Sequence, residues 1–273
     1  MATAARTVPY APVAIGFTSQ ALRLLGARVA LLLALIGGWQ LLSNRVGPYA
    51  LSQPADVFAR LVELATSGEL FQMTATTLSV VVLGLCFGGG LGIGLPFLLS
   101  LSPRLTRTVE PIVKVLMGVP KLALSPIIIL WFGIGIEAKV VLVSLMVFFM
   151  LFVSTFAGIR SVDVKLLMMG RILGAPAGRL IREVLWNSAL PFVMAALKTA
   201  IPWAINAAIV AEFLASDSGL GHYIHSSYDS ADMAGAISGV VAVTVLMVLI
   251  DFAFAGLQRF LLRWQPVDTR AIY

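Results

Sequence analysis

Long apolar stretches alternate with short polar ones along this chain, and six of them approach or exceed the length of a membrane span. A helix rises 1.5 Å per residue, so crossing the hydrocarbon core takes about 20 apolar residues. The stretches are Ala27–Leu42, Phe71–Leu101, Val109–Phe132, Val140–Ile159, Leu190–Phe213 and Ala234–Leu261. The second carries no charge between Glu69 and Arg104. The third is interrupted by Lys114, Pro120, Lys121 and Pro126. Proline removes a donor and clashes with the preceding turn, so this span is expected to bend or break near Val119-Pro120. Such a break is tolerated in a bilayer only where it faces protein or a watery cavity.

Two polar segments carry helical signals of their own. Ser52-Gln53-Pro54 precedes Ala55–Ala65, whose apolar positions Val57, Leu61, Val62 and Leu64 predict a short amphipathic helix. Arg160–Pro191 is a basic hairpin, with Arg160, Lys165, Arg171, Arg179 and Arg182 against Asp163 and Glu183. It reads as two helical halves, Val164–Leu173 and Ala177–Trp186, separated by Gly174-Ala175-Pro176.

The basic residues fix an expected orientation. With the N-terminus in the cytoplasm, 13 of the 19 Lys and Arg lie on the cytoplasmic side, including Arg6, Arg263 and Arg270. Arg45, Arg60 and Lys139 lie outside, and Lys114, Lys121 and Lys198 lie within spans. The segment Leu214–Met233 has no Lys or Arg and carries Asp217, Asp229 and Asp232. The prediction is an all-α polytopic membrane protein of six transmembrane helices, both termini cytoplasmic. It forms one transmembrane domain over 1–273, with the hairpin at about 160–190. The first apolar run follows Arg23 and Arg28 and lacks a small-residue cleavage site, so it is expected to be retained.

Composition agrees: 59% hydrophobic residues and 12% charged ones, against about 25% charged in a soluble domain. The net charge of +6 belongs to topology and anionic lipid; nucleic acid is not an expected partner. Cys86 cannot form an internal disulfide, being the only cysteine. No G-x-x-x-x-G-K-[ST] is present, so the chain has no phosphate-binding loop of that kind. Gly88-Gly89-Gly90-Leu91-Gly92-Ile93-Gly94 lies in an apolar span and suits close helix packing. His222 and His225 lack a third ligand for zinc, and no metal site is expected. No enzyme active site is visible.

Ionisable groups inside spans usually face an interior or a watery path, because a charge at the bilayer centre costs about 2.5 kcal/mol or more. Lys121 stands at the proline break. Lys198 and Asn206, eight residues apart, share nearly one helical face, and Glu212 closes that span. These residues, with Ser125, are the candidate lining of a path. Lys121 could instead pair with Glu110 or Glu137, and Lys198 could reach the membrane surface.

Several blocks then carry a resemblance. They are Leu122-Ala123-Leu124-Ser125-Pro126 followed by Leu130-Trp131-Phe132-Gly133-Ile134-Gly135; Gly158-Ile159-Arg160-Ser161-Val162-Asp163; Leu173-Gly174-Ala175; Ala189-Leu190-Pro191; and Ala211-Glu212-Phe213 leading to Gly219-Leu220-Gly221. Over Leu51 to Leu262 the chain resembles the permease subunits of bacterial ATP-binding-cassette importers, of the taurine/nitrate/sulfonate branch. It departs from their cytoplasmic loop at Met168-Met169-Gly170, where Glu-Ala-Ala-type residues are usual, and at Trp186-Asn187, where Leu-Pro is common.

The resemblance implies a type I importer permease fold in the bacterial inner membrane. It implies a second permease subunit, by preference an identical one, and an extracytoplasmic solute-binding protein. Two ATPase subunits would hold ATP and Mg, with no cofactor in this chain. It also implies that Arg171, Leu173, Gly174, Ala175 and Arg179 form the coupling surface for the ATPase. An ion-coupled secondary transporter is the rival reading. It predicts an inverted second half, which the sequence does not show. A permease for a pyrimidine-type solute is the other alternative.

Overall fold

A computed structural model describes residues 17–47 and 50–262; Arg6, Arg263, Arg270 and both chain ends lie outside them. Residues up to Pro54 and residues from Ala55 onward form separate contact units. In the first, helix α1 (Phe17–Val46) is followed by a turn. There the Ser43 hydroxyl donates to the Leu51 carbonyl and the Trp39 indole to that of Ser52.

The second unit contains α2 (Pro54–Ser67), α3 (Glu69–Ser100), α4 (Pro103–Met117), α5 (Ser125–Phe132), α6 (Ile136–Arg160) and α7 (Val164–Ile172). It continues with α8 (Ala177–Leu180), α9 (Trp186–Leu214), α10 (Leu220–Asp229) and α11 (Met233–Leu261). Among the described residues, five helical segments are long and apolar enough to cross a membrane: α1, α3, α6, α8 through α9, and α11. Taken together, α4 and α5 with the 3₁₀ turn Lys121–Leu124 between them make a sixth such segment, the third in chain order, bent by 83°. The break falls at Gly118-Val119-Pro120, where the missing proline donor places it.

The core is built on α6, which packs against α3 on one side and α9 on another. The α3 contact depends on absent side chains. Gly84, Gly88 and Gly92, four residues apart, share one face of α3. A Cβ at Gly88 would overlap the Ser144 backbone, and one at Gly92 would meet the Phe148 carbonyl and Leu151. With little hydrophobic driving force between helices in lipid, such close approach lets dispersion hold them. At the α9 contact Gly158 abuts Ala189 and Phe192. The layer between the helices is Val80, Val81, Val143, Val147, Leu151, Ile201, Ala204, Ile205 and Ala208, all buried.

The bundle has two distinct ends. At one lie Ser100, Arg160, α7 and α8; at the other lie Glu69, Ile136, Leu214 and α10. Two elements differ from the sequence expectation. The second hairpin half is not a free helix: α8 runs through a π-helical turn, Ile181–Leu185, straight into α9. This extends the fifth span to Ala177–Leu214. The segment Leu214–Met233 is not only a loop, since it folds α10 against α9 and α11.

Candidate functional site

The hairpin end presents α7. Asp163 caps its start, accepting from the Lys165 amide at 2.9 Å. At its close, Ala175 N donates to Gly170 O at 2.9 Å and Gly174 N to Arg171 O at 3.0 Å. These crossed bonds require a left-handed residue after the helix, and Gly174 supplies it at φ 74°. The turn aims the last helical residues outward: Ile172 is 83% and Leu173 81% exposed. Met168 and Met169 are exposed as well. Arg171 and Ala175 line a cavity of about 360 Å³ between α7, α8 and the ends of α3 and α6. Arg179 stands 3.9 Å from Glu183, a loose surface pair worth little. The five predicted hairpin residues thus share one projection, with Leu173 at its tip.

The root of this projection is fastened twice. Ile159 and Val162 are buried with Leu185 and Ala189 of the α9 side. On the other side, Arg160 donates to Glu110 of α4 at 2.9 Å and pairs with its second oxygen. Lys114 holds the same carboxylate at 2.7 Å, and the Arg160 guanidinium lies over the Phe156 ring.

The residues predicted to line a path separate into two groups. Lys198 and Asn206 lie exposed on the unpacked face of α9, in a stripe with Phe192, Ala195, Thr199 and Trp203. Lys121 is half-exposed at the bend of the third span. It pairs with neither Glu110 nor Glu137: its ammonium donates to Met117 O at 2.7 Å and Val119 O at 3.3 Å and lies 4.7 Å from the Phe149 ring centre. It therefore caps the carbonyl end of α4, where a cation is favoured by the helix dipole. Beside this face, Met117, Met150, Ser154, Phe192 and Thr199 line a hollow of about 300 Å³.

Ser125 and Glu212, by contrast, are buried. The Ser125 hydroxyl closes its own turn on Leu122 O at 2.6 Å. Glu212 is fully buried and accepts from Thr77 Oγ1 and the Gly221 amide, each at 2.9 Å. Thr77 in turn accepts from the Leu220 amide at 3.0 Å. Two helices thus satisfy the first amides of a third, and α10 is locked to α3 and α9. Gly219 and Gly221 leave room for the carboxylate. Lys139, buried nearby, donates to Ser216 at 2.6 Å. Thr77 and Lys139 were not singled out by the sequence, because their partners lie 143 and 77 residues away.

At the same end, Glu69, Gln72, Asp217, His222 and Tyr223 line a hollow of about 330 Å³. Burial pushes the Tyr223 phenol up. His225 pairs with Asp229 at 2.9 Å; among the described residues no group of three His, Cys, Asp or Glu could hold a metal ion.

The described residues thus build a bent helix pair beside a helical bundle, with a basic hairpin projecting from one end. Residues 84–265 match the family described as binding-protein-dependent transport system inner membrane component, and the chain belongs to that family. It is 32% identical over 242 residues to the putative aliphatic sulfonates transport permease protein of Bacillus subtilis, covering 89% of this chain and 86% of that one. It is 30% identical over 228 residues to the formylaminopyrimidine transport permease protein of Halalkalibacterium halodurans, covering 83% and 91%. In fold it is similar to a chain of the MetNI methionine ABC transporter in an inward facing conformation, with TM-score 0.57 and 20% identity over 71% of this chain and 94% of that chain. The chain is therefore an inner-membrane permease subunit of an ABC importer with the type I fold, and not an enzyme.

Proposed function

We propose that two copies of this permease form a path for a small organic or inorganic anion, such as a sulfonate, taurine or nitrate, and that α7 is the handle by which an ATPase moves them. The hairpin end faces the cytoplasm and the α10 end receives solute from the binding protein. One ATPase subunit, holding ATP and Mg, grips each α7.

The observation that carries this reading is the exposure of Ile172 and Leu173 on a helix outside the spans. With α7 standing clear of the bilayer in this reading, a protein groove is the fitting cover for these two side chains. On nucleotide binding the two handles approach, and rigid helices rock about the path.

The anion assignment rests on Lys121 and Lys198, which give the unpacked faces of the bent span and α9 a positive potential. The Bacillus subtilis relative is named for aliphatic sulfonates. The Halalkalibacterium relative, named for formylaminopyrimidine, supports a pyrimidine-type solute as the second reading. Ser125 and Glu212 build the elements that carry the path and do not line it.

The test is ATP-driven uptake in proteoliposomes holding the permease, its ATPase and its binding protein. The Lys121→Gln, Lys198→Gln pair is expected to slow sulfonate uptake about tenfold or more, with ATPase assembly intact. Unchanged sulfonate flux would remove the lysines from the path.

A further inference from the structure

We infer that the Glu110–Arg160 pair is the link that carries movement of α7 to the bent third span. The proposal rests on the reading of α7 as the ATPase handle and adds where its motion goes. Arg160 is the last residue of α6 and stands three residues before the Asp163 cap that starts α7. Glu110 is 6% exposed and lies near the middle of α4. The pair is two-pronged, each guanidinium prong facing one carboxylate oxygen. Such a fork fixes direction as well as distance, which a lysine in place of the arginine could not do.

Apolar packing reinforces the joint. Val113 of α4 is buried with Phe149, Phe152 and Phe156 of α6, and the Arg160 guanidinium rests on the last of these rings. The far end of α4 is the bend itself, where Lys121 closes the carbonyls of Met117 and Val119. A pull on α7 thus reaches α4 through one buried carboxylate, and α4 ends where the path residues begin.

A joint that transmits motion sets how much solute moves per ATP. Lys114, which shares Glu110 and is 56% exposed, complicates any charge exchange, so a Lys114→Gln permease is the parent for the test.

In proteoliposomes with ATPase and binding protein, that parent is expected to hydrolyse ATP and transport normally. Adding Glu110→Gln is expected to leave ATPase binding and hydrolysis within about twofold while solute moved per ATP falls at least tenfold. Adding Glu110→Arg with Arg160→Glu instead, which restores the pair reversed, is expected to recover at least a third of the parent ratio. An unchanged ratio in Glu110→Gln overturns the proposal. So does a folded, ATPase-bound reversed pair that remains uncoupled, and this arm decides the matter should the single variant fail to fold. If the native permease in the same proteoliposomes neither binds nor stimulates the ATPase, it is the assignment of α7 that fails.

Discussion

Replacing Gly88 by valine is expected to leave almost no folded permease in the membrane, whereas Gly90→Val is expected to behave as the native chain does. The two positions are neighbours in one glycine run, yet their surroundings are opposite. A Cβ at Gly88 would fall on the Ser144 backbone of α6, and one at Gly90 would meet nothing within 4 Å. Overpacking against movable side chains costs about 1–3 kcal/mol. Here the obstacle is backbone, so α3 and α6 would have to part along the contact that Gly84 and Gly92 also need. The loss is expected at the upper end of that range or beyond it, a large fraction of the stability of a typical domain. Thermal unfolding in detergent, followed by size-exclusion chromatography, checks both variants. A Gly88→Val protein melting within a few degrees of the native chain would contradict this account of α3.

The second large effect is expected at Glu212. Changing it to alanine removes the acceptor of Thr77 and of the Gly221 amide at a fully buried place. Each buried donor left alone costs about 1–3 kcal/mol. We expect α10 to come away from α3 and α9 while the spans stay inserted. Leu220 reports this directly, being fully buried at the start of α10. In a Cys86→Ala background, a cysteine introduced at Leu220 is expected to react with a small maleimide at least tenfold faster once Glu212 is alanine. Equal rates would mean that α10 is held by something else.

Much of this architecture was legible in the sequence because bilayer physics writes it locally. The charge-free run before Arg104 could only be a span, and Pro120 marked the bend to within a residue or two. The hairpin turn was legible because Gly174 must be left-handed there. The continuity of α8 into α9 was not: the sequence pattern ends the hairpin half at Trp186 and starts the span at Leu190, whereas the helix continues through a π turn at Ile181–Leu185. Nor was α10, ten residues long and half polar, whose first amides are satisfied by Thr77 and Glu212 from distant helices.

The same distance hid the partner of Glu110. Sequence offered Lys121 as a candidate, whereas the fold brings Arg160 from 50 residues away and turns Lys121 toward the carbonyls of its own bend. Sequence marked Glu212 and Ser125 as polar residues in spans, and polar residues in spans suggest a path. Both are buried, Ser125 bonded to its own turn and Glu212 through one of its two oxygens, whereas Lys198 and Asn206 are exposed and Lys121 partly so.

The central claim is that α7 points into the cytoplasm and is gripped there by the ATPase. It is tested most directly by a single cysteine at Leu173, in a Cys86→Ala background, labelled with a membrane-impermeant maleimide. The account predicts no labelling in intact cells, rapid labelling in inverted vesicles stripped of the ATPase, and strong protection when the ATPase is added back. Labelling from outside intact cells, or labelling in inverted vesicles that the returned ATPase does not slow, would contradict it.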